Sequence, residues 1–324
     1  MEPFYSIIKI YYTILVIIGV PINLMTILVL SQERCGLSTC TTRYLLSMTT
    51  ADLLGIITAA LLYRGSSYYF PESFLQITPV CRIIFVLLFA TSECSVWFTV
   101  TFSFDRFVAI CCQKLKTRYC TDKNAAVILS TTCILICSKN VASYFRFEPG
   151  EIIDNIPWFC KETPSYYSAP GWVAFDWFSK IFTPLLPYVL ILLLNTLTVR
   201  HILMSSLVRK RLRGQSKGDN HNDPGMESRK KSMLLLFTIS GSFILLWLLY
   251  VINFLYYTIS GLNSENYSEF LSIFAEVAVM LVDLSCCSNA FIYGVTQSKF
   301  RERFMSMVKY PVMLLMKSLD KQMN

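Results

Sequence analysis

Residues 83–104 read IIFVLLFATSECSVWFTVTFSF, and Asp105-Arg106-Phe107 follows at once. The run is 22 residues long and contains a single Asp, Glu, Lys or Arg, Glu93. About 20 predominantly apolar residues in helical form cross the hydrocarbon core of a bilayer, so this stretch is long enough to span one. Six more runs of the same kind lie at 10–30, 44–63, 125–145, 173–199, 233–257 and 271–295. Lipid offers no partner to backbone N–H and C=O groups, and the period-2 alternation of a membrane barrel is absent, so each run is expected to be a helix. Composition agrees: 54% of the residues are hydrophobic, 15% are charged, and the mean hydropathy is +0.50. A soluble chain carries about a quarter charged residues, so a soluble enzyme and a nucleic-acid-binding protein are both excluded, despite a formal net charge of +8. The expected fold is an all-α membrane protein, a seven-transmembrane helix bundle. The first run lacks a basic leader and a small-residue cleavage site, and it is too long for a signal peptide. Residues 1–9 are therefore expected as a short N-terminal segment, 10–297 as the transmembrane domain and 298–324 as the tail.

Direction follows from Lys and Arg. The loops at 31–43, 113–123 and 200–232, with the tail from 298, hold 21 of the 29. The opposite loops are mixed to acidic, with Glu148, Glu151, Asp154, Glu162, Glu265 and Glu269. By the positive-inside rule the N-terminus is extracellular and the C-terminus cytoplasmic. The basic excess then faces the cytoplasm, where acidic lipid heads attract it. Asn266-Tyr267-Ser268 is the only N-x-[ST] acceptor. It falls in a loop placed outside, which makes Asn266 an expected glycosylation site. Of twelve cysteines, only Cys81 and Cys160 lie at or beyond the outer face. A lone outside pair implies a bridge from the top of the third helix to the second outer loop; two unpaired thiols are the alternative.

An ionisable group in mid-membrane costs about 3 kcal/mol even on the mildest scale, so those present are functional candidates. They are Asp52 in the second run, Glu93 in the third and Asp283 in the seventh. Arg106 can snorkel to the interface and pair with Asp105, a sufficient structural role by itself. Asp52 has no base in its own run; a group across the bundle, a bound cation or a proton must satisfy it. The same carboxylates would suit a seven-helix transporter or proton pump, but there is no inverted repeat and no paired Gly/Pro break in corresponding halves. An enzyme has less support still: His201 and His221 are both on the cytoplasmic side, with no nucleophile–base pair or metal spacing.

The polar landmarks fall in a definite order. Asn23 stands in the first run and Ala51-Asp52 in the second; Cys81 precedes the third, and Asp105-Arg106-Phe107 closes it. Pro187 marks the fifth run and Trp247 the sixth; Asn289-Ala290-Phe291-Ile292-Tyr293 ends the seventh, with Lys299-Phe300-Arg301-Glu302-Arg303-Phe304 just beyond. This ordered set resembles the class A, rhodopsin-like G-protein-coupled receptors over essentially the whole chain. Within them, the run from Trp97 to Phe107 and Asn195, eight residues after Pro187, most resemble the orphan branch of G-protein-coupled receptor 139. The resemblance implies a Cys81–Cys160 disulfide and a short amphipathic eighth helix. It implies a G-protein switch built from Asp105, Arg106, Phe107, Asn195 and Tyr293, and an allosteric sodium site at Asp52, Ser95 and Asn289, with no other cofactor. The implied partners are a heterotrimeric G protein, an extracellular peptide or small-molecule ligand and membrane lipids, with no nucleic acid. The implied location is the plasma membrane, as a multi-pass receptor. Departures touch the switch: Leu249 and Ala290 replace the helix-six and helix-seven prolines, Asn195 replaces a tyrosine, Gln113-Lys114 replaces a Pro-Leu, and helix four has no tryptophan.

The resemblance also places the ligand between the outer halves of helices three, five, six and seven. Trp247, Tyr250, Phe254 and Tyr257 recur at i, i+3, i+7 and i+10 and share a face of helix six; Glu276, Met280 and Asp283 share one on helix seven. An aromatic stripe at that spacing equally serves packing against lipid, whereas lipid would reject an acidic one. The expected ligand carries a cationic group, as in a peptide or an amino-acid-like molecule, and Arg64 and Arg82 are the expected anion partners. Helix seven has no lysine, so no retinal Schiff base can form there. Leu88 stands where amine receptors have an aspartate, which disfavours a biogenic amine.

Overall fold

The computed structural model describes residues 2–32, 36–213, 224–260 and 268–309. Seven helices in it are long and apolar enough to cross a membrane. They are α1 (Pro3–Ser31), α2 (Thr39–Tyr69), α3 (Thr78–Cys111), α4 (Asp122–Arg146), α5 (Pro170–Leu207), α6 (Lys230–Ser260) and α7 (Glu269–Thr296). Hydroxyls cap three of them at entry: Ser38, Thr121 and Ser268 accept from the backbone N–H groups of Thr41, Asn124 and Leu271, satisfying donors that a helix start leaves open. Helix α1 begins well before its apolar run, because residues 2–9 are already helical rather than a separate segment. Residues 298–309 form a further short helix whose Phe300 is buried beneath Tyr293, while Lys299, Arg301, Glu302 and Arg303 are exposed.

Polarity is arranged as a bilayer demands. On α1 the exposed side chains Ile7, Ile10, Ile14 and Ile17 repeat at helical spacing, which makes an apolar stripe facing outward. The inward face carries Ile8, Tyr12 and Leu15 and then narrows: a Cβ on Gly19 would lie 2.6 Å from Cys287 Sγ, so glycine lets α1 approach α7 this closely. Four residues on, Asn23 Nδ2 donates to Gly19 O (2.9 Å) and Cys286 O (3.0 Å). The largest apolar core fills one end of the bundle, with Tyr44, Met48, Phe102, Leu235, Ile239, Tyr293 and Phe300 all buried in one cluster. A second cluster, Val96, Val100, Ile191, Phe243 and Trp247, joins α3, α5 and α6 at mid-height.

Helices α6 and α7 run unbroken through Leu249 and Ala290, as expected without the proline that removes a hydrogen bond and bends the axis. Helix α5 is interrupted. Its break lies at Thr183–Pro184, where Thr183 takes extended dihedrals (φ −147°, ψ 116°), and Pro187 sits at the start of the resumed helix. Helix α2 changes to π-helical winding over Ile56–Gly65, one turn after Asp52.

One feature escapes the all-helical reading. Between α4 and α5, β1 (Phe147–Ile153) and β2 (Ile156–Glu162) form an antiparallel hairpin. Its two-residue turn, Asp154-Asn155, has both φ angles positive (50° and 62°), the geometry that two-residue hairpins favour and that Asp and Asn tolerate. A disulfide from Cys160 to Cys81, with Cα atoms 6.2 Å apart, fixes the hairpin over the mouth of the bundle. Thr78 Oγ1 reinforces it by donating to Phe159 O at 2.7 Å.

Candidate functional site

Beneath the hairpin lies a cavity of about 370 Å³ enclosed by α2, α3, α4, α5, α6 and α7. Trp247 and Tyr250 of α6 line it, with Leu88 and Phe89 of α3 opposite. Its chemistry is dominated by charge. Lys139 Nζ lies 2.5 Å from Glu93 Oε1, and Asn140 Nδ2 donates to Glu93 Oε2 at 3.0 Å. Both members of this ion pair are nearly excluded from solvent, so mutual attraction and the Asn140 amide must offset their desolvation. Lys180 Nζ pairs with Asp176 Oδ2 at 2.5 Å, and Tyr166 donates to the other Asp176 oxygen at 2.7 Å. Arg146 stacks over the Tyr166 ring at 4.1 Å and pairs with Glu162 of the hairpin. On the far wall, Asp283 accepts from the Tyr12 hydroxyl at 2.8 Å and pairs with no Lys or Arg among the described residues.

The expected pocket residues divide. Leu88, Trp247, Tyr250 and Asp283 line the cavity. Phe254 and Tyr257 do not: Phe254 is buried in the helix, and the Tyr257 ring sits under Lys180 Nζ at 4.6 Å. Glu276 and Met280 face away as well. Glu276 pairs with Arg64 at 2.6 Å, and Met280 packs against α1, its carbonyl accepting from Tyr11. Helix seven bends no side chain toward the cavity from those positions, because α1 and α2 occupy that flank. Arg64 is thereby consumed, and Arg82 lies over Tyr144; the cations at the cavity are Lys139, Arg146 and Lys180 instead. Lys139, Asp176 and Lys180 were within reach of sequence reasoning, since all three lie inside apolar runs and meet the same energetic test that singles out Asp52.

Below the cavity a polar column continues. Ser95 Oγ donates to Asp52 Oδ1 at 2.5 Å, and Asn289 Nδ2 donates to Asp52 Oδ2 at 2.8 Å. Beside them, under Trp247, a small void of about 20 Å³ is lined by Ser95, Thr99, Ser242, Ser288 and Asn289, enough for a single water-sized occupant. Asp52 is 1% exposed and has no basic partner among the described residues. A buried carboxylate among hydroxyl and amide oxygens is a donor set that fits a hard cation.

At the opposite end Arg106 is clasped. Its guanidinium pairs with Asp105, lies 5.9 Å from the Phe102 ring centroid, and donates through Nη1 to Ser232 Oγ of α6 at 3.3 Å. Cys40 Sγ also donates to Asp105 Oδ1. Phe107 is half-buried beside Phe104. Asn195 does not approach Tyr293; its Oδ1 accepts from Ser240 Oγ at 3.1 Å, tying α5 to α6. Tyr293 is fully buried, its ring edge-on to Phe300 at 5.9 Å. Just outside the membrane span, burial and the neighbouring Asp105 carboxylate push the Cys120 thiol up to about 12, which keeps it protonated and unreactive. Asn266 lies outside the described residues.

Comparison with known proteins is consistent along the chain. The family profile described as 7 transmembrane receptor (rhodopsin family) matches residues 22–293. Neuropeptide receptor 22 of Caenorhabditis elegans is 27% identical over 306 residues, covering 91% of this chain and 67% of that one. The platelet-activating factor receptor of Homo sapiens is 22% identical, covering 94% and 87%. The C-C chemokine receptor type 1 of Macaca fascicularis is 23% identical, covering 90% and 76%. These relatives are receptors and not enzymes, and seven helices, a tethered hairpin and a profile match over most of the sequence agree: the chain belongs to the rhodopsin family of seven-transmembrane receptors.

Proposed function

We propose that the protein is a plasma-membrane receptor with its hairpin end outside, which binds an extracellular peptide or amino-acid-like ligand and signals to a heterotrimeric G protein. The observation that carries this reading is the polar column running the height of the bundle. It descends from the charged cavity past Trp247 to Asp52, and the Arg106–Ser232 clasp closes the far end. A ligand that prefers one arrangement of α6 shifts the population of that arrangement. Release of Ser232 from Arg106 opens a cleft on the basic face, where a G-protein segment docks with Arg106, Phe107, Asn195 and Tyr293 nearby. The ligand's cationic group goes to Asp283 and its anionic or polar end to Lys139, Arg146 and Lys180. Sodium at Asp52, Ser95 and Asn289 favours the clasped arrangement. Asn266 carries a glycan, consistent with the outward hairpin end. The orphan branch of G-protein-coupled receptor 139 is the proposed home within the family, supported by the run from Trp97 to Phe107 and by Asn195.

A proton pump or transporter has less support. Asp52 bonds to Ser95 and Asn289, Glu93 to Lys139 and Asn140, and Asp283 to Tyr12, so the three carboxylates share no hydrogen bond. The deciding experiment screens peptides and amino acids on cells carrying promiscuous G proteins, with Arg106→Ala as the control. Signals that persist in Arg106→Ala, or proton flux in liposomes without any nucleotide exchange, would contradict the receptor reading.

A further inference from the structure

Behind one wall of the cavity, three thiols from two helices converge. Cys133 and Cys137 are four residues apart on α4, so one helical turn stacks them, and their Sγ atoms lie 4.0 Å apart. Cys94 of α3 completes the group, with all three sulfurs within 4.8 Å of one another. None is in a disulfide; Cys94 is buried, Cys133 half-buried and Cys137 exposed on a helix with little of its apolar window inside the bundle. Their sequence neighbours Glu93, Lys139 and Asn140 line the cavity, so the sulfurs stand directly behind it. The signalling route described above uses none of them.

A free cysteine packs as a small hydrophobe, which accounts for one buried thiol but not for three sulfurs meeting. Metal–thiolate bonds are about 2.3 Å long, and three of them in a plane hold their sulfurs roughly 4.0 Å apart; the Cys133–Cys137 pair has that spacing, and Cys94 lies within 4.8 Å of both. Sulfur ligands select soft cations over sodium, magnesium or calcium. Glu93, next to Cys94 in sequence, is committed to Lys139 and Asn140, so among the described residues the site offers three ligands and no fourth. That favours a three-coordinate monovalent ion over tetrahedral zinc.

We propose that Cys94, Cys133 and Cys137 form a trigonal site for a soft monovalent cation of the Cu(I) class, bridging α3 to α4 behind the ligand cavity. The ion arrives already reduced, and no electron is transferred. Each thiol that becomes a thiolate ligand releases its proton to solvent. An occupied site pins the two helices that present Glu93 and Lys139, which makes the ion an input to the cavity.

The test titrates the full-length receptor, reduced and in lipid nanodiscs, with Cu(I) buffered by bathocuproine disulfonate. The expected result is one Cu(I) per receptor with three sulfurs at about 2.3 Å in X-ray absorption, lost roughly ten-fold or more in affinity in Cys133→Ser and in Cys137→Ser. The control Cys111→Ser/Cys112→Ser, which removes the juxtamembrane pair, leaves binding unchanged. Cys137 faces outward, so its variant keeps the fold, checked by thermal melting; it carries the decision if Cys94→Ser does not assemble. Two-sulfur coordination, or affinity unaltered in Cys137→Ser, would overturn the site.

Discussion

Glu93 and Lys139 put two charges in the interior of the bundle. Each is nearly buried, and each is tolerable only because the other is there. Removing one partner leaves an unpaired charge, which costs about 3–5 kcal/mol in a buried pair, whereas an apolar replacement of both is often neutral. Glu93→Gln should therefore lower the melting temperature sharply, and Glu93→Gln/Lys139→Met should recover most of the loss. Equal melting temperatures for the single variant and the parent would mean that water reaches the pair. Asp52 behaves differently, because its donors Ser95 and Asn289 are neutral. Asp52→Asn keeps the size of the group and removes its charge, so sodium dependence of agonist binding should vanish; sensitivity equal to the parent's would remove Asp52 from any cation site.

Individual elements show what a sequence can and cannot carry. The seven spans were legible because lipid imposes length and apolarity on each of them, and Asp283 stood out because lipid would reject its charge; spacing alone did not separate Trp247 and Tyr250, which line the cavity, from Phe254 and Tyr257, which do not. The hairpin was not legible: its strands Phe147–Ile153 and Ile156–Glu162 are short, and their pairing depends on a tether to Cys81 far away in the chain. Nor could spacing tell that Glu276 and Met280 turn to α1 and α2 while Asp283, on the same stripe, reaches the cavity; that depends on how α1 packs. The unbroken run of α6 was legible, since Leu249 leaves the backbone ladder intact. Leu249→Pro should break that ladder at a cost of about 3 kcal/mol, read as a lower melting temperature. A variant as stable as the parent would mean that α6 is already bent at that turn.

At the scale of the whole molecule, charge sets direction. Net charge is +8, and most Lys and Arg lie in the loops and tail at the Arg106 end, which supports the proposed orientation with the hairpin end outside. Asn266→Gln should then remove a glycan, seen as loss of the mobility shift on deglycosylation of cell-surface receptor; a parent protein insensitive to the glycosidase would leave the orientation without that support. In the proposed function the Arg106–Ser232 contact restrains a signalling opening of α6. A hydrogen bond to a charged group contributes about 1.5 kcal/mol, roughly ten-fold in a two-state population. The most direct test is ligand-free guanine-nucleotide exchange on a heterotrimeric G protein by the purified receptor in nanodiscs. Ser232→Ala is expected to raise the basal rate by up to roughly ten-fold and Ser232→Ala/Arg106→Ala to abolish the gain; a basal rate in Ser232→Ala equal to the parent's would contradict the account.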